Sequence, residues 1–185
     1  HTIGIVRGDE WGRKIHESAT LNYCVSQGME LHCISRDIYA QKEQAPIVTK
    51  LMKKIPGLRI IPEGGTEPLA VKGCLEILQS EDLNFDVICS SVGTGGTIAG
   101  LVNSSNDNQN LIGFNALNNT EIVHTIEELT NKKNWSIEDG YTFGGYAKIK
   151  PTLISFMNDF YQQYINPLDP IYTGKMFFGI FDLSK

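Results

Sequence analysis

Residues 91–101 read Ser-Val-Gly-Thr-Gly-Gly-Thr-Ile-Ala-Gly-Leu. An apolar run, Phe85-Asp86-Val87-Ile88-Cys89, leads into this stretch, and a helix-like segment, Ile98-Ala99-Gly100-Leu101-Val102, leads out of it. A strand, a glycine loop and a helix start in that order build an anion site. The first N–H groups of a helix have no intrahelical acceptor and carry the positive end of the helix dipole. Gly93, Gly95 and Gly96 let backbone approach a phosphate with no side chain in the way, and Thr94 and Thr97 add hydroxyl donors. The loop alone leaves its guest open. It is not a P-loop, because no Lys-Ser/Thr follows it, and it lacks the G-x-G-x-x-G spacing of dinucleotide sites. A tight strand-to-helix turn without a ligand fits the same residues.

Three further loops are richer in glycine and reactive side chains than connection alone requires. They are Pro62-Glu63-Gly64-Gly65-Thr66, Tyr141-Thr142-Phe143-Gly144-Gly145-Tyr146-Ala147-Lys148, and Asp169-Pro170-Ile171-Tyr172-Thr173-Gly174-Lys175. The cysteines, Cys24, Cys33, Cys74 and Cys89, form no C-x-x-C pair, and no histidine has zinc-ligand spacing to them. No metal site is expected, and the thiols read as free and buried in a reducing cytosol. A net charge of -5 with no basic cluster argues against a nucleic-acid partner. No apolar run approaches the roughly 20 residues that span a bilayer, so no membrane partner is expected. With 41% hydrophobic and 20% charged residues, the composition is that of a globular domain.

The elements that must position these loops alternate. Strands are predicted over 2–7, 30–35, 58–62, 85–90 and 111–117. Helices are predicted over 21–27, 45–55, 68–79, 121–131 and 151–164. The last of these opens on Pro151, where a missing N–H is harmless, and carries Leu153, Phe156, Met157, Phe160 and Tyr164 as a broad apolar stripe. A further helical segment follows Lys175. Strands alternating with helices imply an α/β fold with mostly parallel sheets, in which ligands bind beyond the carboxyl ends of the strands.

The four loops, in this order, resemble those of one family. It is the pyridoxal-phosphate-dependent family that includes D-cysteine desulfhydrase and 1-aminocyclopropane-1-carboxylate deaminase, with the tryptophan-synthase-β type of fold (fold type II). The resemblance extends over nearly the whole chain. It is most specific at Gly93-Thr-Gly-Gly-Thr97, Phe143-Gly-Gly-Tyr146 and Asp169-Pro-Ile-Tyr-Thr-Gly-Lys175. It implies that Gly93, Thr94, Gly95, Gly96 and Thr97 hold the 5′-phosphate of pyridoxal 5′-phosphate. Tyr146 and Tyr172 match two family tyrosines whose phenols lie beside cofactor and substrate. From the residues alone, loop packing is the plainer reading of both, although their glycine neighbours supply no packing partner. The resemblance implies a catalytic role in proton handling and substrate placement. Thr173 falls where the cyclopropane deaminases typically carry Glu and the D-cysteine desulfhydrases carry Thr, and it is expected beside the cofactor.

The expectation is therefore an α/β chain of two lobes, with open twisted sheets flanked by helices. Residues 1–65 would be the remnant of a smaller mobile lobe and residues 66–185 the larger cofactor-binding lobe. The expected activity of the intact protein is that of a lyase or deaminase on a small amino acid. The first choice is D-cysteine, converted to pyruvate, sulfide and ammonia. The alternative is 1-aminocyclopropane-1-carboxylate, converted to 2-oxobutanoate and ammonia. Lys148 and Lys175 are not read as the lysine that bonds the cofactor, because the family's lysine lies upstream of the region matched by His1. The chain is therefore expected to lack its N-terminal part and its C-terminal end. If it truly starts at His1, a non-catalytic binder of pyridoxal phosphate or another phosphorylated ligand is the alternative. A cytoplasmic location and a homodimer, common in the family, complete the expectations.

Overall fold

The computed structural model describes residues 1–185 and divides into two compact units, His1–Pro62 and Glu63–Lys185. In the first unit, β1 (Ile3–Arg7) pairs in parallel with β2 (Glu30–Ile34), from Ile3 opposite Glu30 to Arg7 opposite Ile34. Between them run α1 (Trp11–Lys14) and α2 (Ala19–Ser26), and the Ser18 hydroxyl caps α2 by accepting from the N–H of Leu21 at 3.3 Å. Helices α3 (Arg36–Tyr39) and α4 (Pro46–Lys54) follow, and α4 buries Val48 and Leu51 beside Ala45.

The second unit opens with α5 (Pro68–Cys74) and continues as a strand–helix repeat: β3 (Val87–Val92), α6 (Gly96–Ser104), β4 (Asn110–Asn115), α7 (Ile122–Glu127) and β5 (Trp135–Glu138). The three strands lie in the order β3-β4-β5, all parallel. The sheet face under α6 and α7 holds a core of Val92, Ile98, Leu101, Val102, Leu111, Ile122 and Ile126. Two long helices, α8 (Pro151–Tyr164) and α9 (Thr173–Leu183), share an aromatic cluster. Within it Phe160 lies 5.1 Å from Phe177, and Phe156 stacks edge-on to Phe178 at 5.3 Å. No helix is long and apolar enough to cross a membrane.

The structure departs from the sequence expectations at several places, and the helix expected over 121–131 is shorter, Ile122–Glu127. Residues 58–62 form no strand: they have no ladder partner beside β1 and β2, and Ile61 is 75% exposed. The helix predicted to run to residue 79 ends at Cys74. Gln79 instead starts a short 3-10 segment, with its own N–H donating to Asp82 at 2.9 Å. Strand β5, too short and too polar at its approach to stand out, completes the sheet. The apolar stripe of α8 is only partly core: Leu153 and Phe160 are buried, whereas Tyr164 is exposed. All four cysteines are free, but they are half-buried rather than buried as expected.

Gly113 of β4 shows how tightly the sheet face is filled. A Cβ there would stand 2.5 Å from Ile98, 2.6 Å from Ile137 and 2.7 Å from Val92. The obstructing atoms are side-chain ends, which can shift at a cost. Gly113→Ala is expected to destabilise the chain by about 1–3 kcal/mol through overpacking. The check is the urea midpoint, and an unchanged or raised midpoint would contradict this packing.

Candidate functional site

Strand β3 delivers the chain to Gly93, and α6 begins three residues later. The turn between them needs left-handed backbone at Gly95, with φ +90°, which glycine adopts without strain. Gly95 therefore stands at the N-cap with no side chain, and no other side chain caps α6. The first-turn N–H groups of this nine-residue helix lack intrahelical acceptors and carry its positive dipole end. A Cβ on Gly96 would stand 3.0 Å from the Thr66 hydroxyl, so a larger residue would intrude on that space.

The turn borders a cleft of about 290 Å³ lined by Gly64–Thr66, Ala70, Cys74, Ser91–Ile98 and Tyr172. The Thr66 and Thr94 hydroxyls are hydrogen-bonded to each other at 2.5 Å, and the Thr94 hydroxyl also donates to the Gly64 carbonyl at 3.3 Å. Hydroxyls, glycine backbone and a helix N-terminus thus converge on one concavity. Acidic side chains are absent from its lining. Such a lining has the chemistry to accept an anion.

Tyr172 reaches the same cleft from the start of α9. A Cβ on Gly93 would meet its ring at 3.4 Å and its phenol oxygen at 3.6 Å. The loop that presents Tyr172 is organised by Asp169. Its carboxylate accepts from the N–H groups of Ile171 at 2.9 Å, Tyr172 at 2.7 Å and Thr173 at 2.9 Å, and from the Thr173 hydroxyl at 2.6 Å. Burial raises the Asp169 pKa. The donors outweigh it, the Thr173 hydroxyl first and the three N–H groups after it, and hold the carboxyl below the usual aspartate value.

Behind this loop Lys175 is buried, and its ammonium donates to the carbonyls of Ala116 at 2.9 Å and Gly145 at 2.7 Å. Burial pushes its pKa below the ordinary lysine value, and the negative charge of Asp169 opposes that shift.

No family model matches the chain. A Pyrococcus furiosus protein provisionally named 1-aminocyclopropane-1-carboxylate deaminase is 32% identical, over 68% of this chain and 45% of its own length. A Thermotoga maritima protein with the same provisional name is 28% identical, over 85% of this chain and 58% of its own. The crystal structure of an ACC deaminase homologue has a TM-score of 0.68 at 24% identity, covering 97% of this chain and 60% of that one. These similarities support the 1-aminocyclopropane-1-carboxylate deaminase and D-cysteine desulfhydrase family for this chain. It spans about half the length of the curated relatives it matches, 45% and 58% of these two. Its α/β fold with parallel sheets is that of the deaminase homologue.

The structure brings some of the residues expected from this family together and separates others. Gly93, Thr94, Gly95, Gly96, Thr97 and Tyr172 line one cleft. Tyr146 does not line it and is 61% exposed, on the loop behind which Lys175 is anchored. Thr173 does not line it either, since its hydroxyl is engaged by Asp169. Thr66 joins the cleft from the glycine loop that the sequence marked at 62–66, and Ala70 and Cys74 join it although no sequence signal marked them as lining a site. Asp169 had a signal: an aspartate before proline, followed four residues later by threonine at a helix start, is turn and capping chemistry.

The lowered pKa of Asp169 makes its contribution to stability depend on pH. The contribution is fully present above the unfolded-state value, about 3.9, and is lost as pH falls through the lowered folded-state value. Asp169→Asn is therefore expected to lower the urea midpoint at pH 7, and the gap from wild type should narrow as pH falls below about 4. A gap that stayed constant down to about pH 2.5 would show that the charge of Asp169 is not what holds the loop.

Proposed function

We propose that residues 66–185 form the lobe of a pyridoxal-phosphate-dependent enzyme that holds the cofactor's phosphate, and that residues 1–65 belong to a smaller lobe. The observation that carries this reading is the uncapped N-terminus of α6 opening onto a cleft with Tyr172 at its edge. Gly93–Thr97 would hold the dianionic phosphate through backbone N–H groups, with the Thr97 hydroxyl as a further donor and the Thr94 hydroxyl another once it exchanges its bond to the Gly64 carbonyl for the phosphate. When bound, the cofactor supplies an electron sink for charge developing on the amino-acid carbon. The Tyr172 phenol, at the cleft wall, would hold or move a proton near the bound amino acid. Tyr146 would assist substrate placement from the neighbouring loop. Lys175 is not proposed as the amine that bonds the cofactor, because two carbonyls hold its buried ammonium.

The proposed substrate is a small amino acid, with D-cysteine first. Taken up with one water, it would leave as pyruvate, sulfide and ammonia. The support is the residue after Tyr172. Thr173 is neutral and its hydroxyl is bound to Asp169, so position 173 offers no carboxylate to the cofactor. The names of the relatives support the second reading, opening of 1-aminocyclopropane-1-carboxylate with one water to 2-oxobutanoate and ammonia. Sulfide release from D-cysteine is assayed beside oxobutanoate formation with the intact, cofactor-loaded protein. Sulfide release is expected to dominate, and turnover of the cyclopropane acid alone would overturn the D-cysteine assignment.

The phosphate assignment is tested by Thr97→Asp. A carboxylate in the first turn of a helix favours the dipole, so stability should hold or rise by about 0.3–1 kcal/mol. The same charge repels a phosphate, so affinity for pyridoxal phosphate should fall by about tenfold or more. Fluorescence titration with pyridoxal phosphate, with inorganic phosphate as competitor, reads the second effect and urea unfolding the first. Equal affinity in wild type and variant would move the phosphate elsewhere.

A further inference from the structure

Lys175 is 1% exposed and among the largest fully buried side chains of the protein, yet the proposed function leaves it without a task. Burying an ammonium is expensive, and an apolar side chain of similar shape usually packs such a position at no loss. No carboxylate lies within salt-bridge distance of Lys175; its partners are two carbonyls from different segments. Ala116 follows β4, and its own N–H bonds to Val92, the last residue before Gly93, at 3.0 Å. Gly145 immediately precedes Tyr146. Lys175 itself stands three residues after Tyr172. One ammonium on the helix that follows Tyr172 therefore joins the residue after β4 to the residue before Tyr146.

The Tyr146 loop needs such a tie. Phe143, Gly144, Gly145 and Ala147 have φ of +54°, +102°, +108° and +55°, so two residues with side chains adopt left-handed backbone within five positions. Strained backbone of this kind persists only where the surroundings over-determine it. Phe143 packs edge-on against Phe178 at 5.1 Å and holds the start of the loop, but Tyr146 does not hold its other half, since its ring is largely in solvent. Local hydrogen bonds are few: Gly145 N–H to the Thr142 carbonyl at 3.0 Å, Gly144 N–H to the Thr142 hydroxyl at 3.3 Å, and Lys148 N–H to the Gly145 carbonyl at 3.1 Å.

We propose that Lys175 is a positioning residue whose ammonium clamps the Gly145 carbonyl to the exit of β4, thereby setting where Tyr146 stands relative to Tyr172 and the phosphate turn. The inference rests on the reading of those two tyrosines as site residues. The clamp itself is a property of the chain and is measurable without turnover.

The test is hydrogen exchange by mass spectrometry on wild type, Lys175→Met and Lys175→Gln, with affinity for pyridoxal phosphate measured in parallel. Lys175→Met keeps the volume and removes every donor. Exchange over residues 142–148 should accelerate by about tenfold or more, while β3 and α6 change less than about twofold. Affinity for pyridoxal phosphate should stay within about threefold of wild type, because the phosphate turn is built separately. Lys175→Gln keeps an uncharged N–H donor and should give an intermediate acceleration. Unchanged exchange over 142–148, or equal acceleration across β3 and α6, would overturn the proposal in favour of no role or a purely structural one. Failure of both variants to fold would count for the structural role as well. If wild type binds no pyridoxal phosphate, the proposed function falls, and the exchange pattern still decides the clamp.

Discussion

The close approach of α5 to α6 sets the shape of the site. A Cβ on Gly100 would stand 2.3 Å from the Cβ of Cys74 and 2.9 Å from the Val71 carbonyl, so the two helices touch at backbone distance. The opposite side of α6 rests on β3 and β4 through Ile98, Leu101 and Val102. A helix pinned on both sides cannot tilt to relieve an uncapped end. Its first-turn N–H groups must find acceptors in the cleft itself, from water or from an anion. The same contact brings Thr66, just ahead of α5, within hydrogen-bond reach of Thr94, closing one wall of the cradle. Packing and binding are thus one problem here: small residues let α6 sit deep, and a small residue at its N-cap leaves its dipole unspoken for.

The segment from Asp169 to Lys175 divides three tasks among adjacent positions. Asp169 gathers three N–H groups and a hydroxyl and so fixes the turn. Tyr172 projects from that fixed turn toward Gly93. Lys175, one helical turn later, ties the turn to two other loops. Because the anionic and cationic ends are both built into the approach to α9, displacing this helix start would disturb Tyr172 and the Tyr146 loop together. The two charges also influence each other, since Asp169 partly offsets the loss of hydration at Lys175.

Much of this was legible in the chain where local and tertiary signals agree. Pro151 at the first turn and a stripe of apolar residues place α8 at Pro151–Tyr164. The apolar run into Gly-Thr-Gly-Gly-Thr gives β3, the turn and α6, because the glycines serve the backbone directly. Where pairing decides, local signals mislead. Leu58–Pro62 is apolar enough for a strand and joins neither sheet, while Trp135–Glu138 is a strand because β4 is beside it. Long-range polar contacts leave no local trace at all. The acceptors of Lys175 lie 59 and 30 residues away in sequence, so nothing around it announces a buried ammonium.

Position 173 shows how capping and chemistry compete for one side chain. The Thr173 hydroxyl donates to Asp169 at 2.6 Å and accepts from its N–H at 2.9 Å, so the side chain is turned inward and both bonds serve the loop. A glutamate, which the family resemblance associates with cyclopropane deaminases, could not take that place. It would set a second carboxylate against an Asp169 already held ionised by its N–H donors, and like charges at that distance exclude each other. Its side chain would turn away from Asp169, leaving the three N–H bonds to hold the turn alone. A threonine at this position thus strengthens the platform under Tyr172, whereas a glutamate would weaken it. On the proposed reading, substrate preference and loop stability are coupled through this residue, because one side chain cannot satisfy Asp169 and offer a carboxylate to the cofactor.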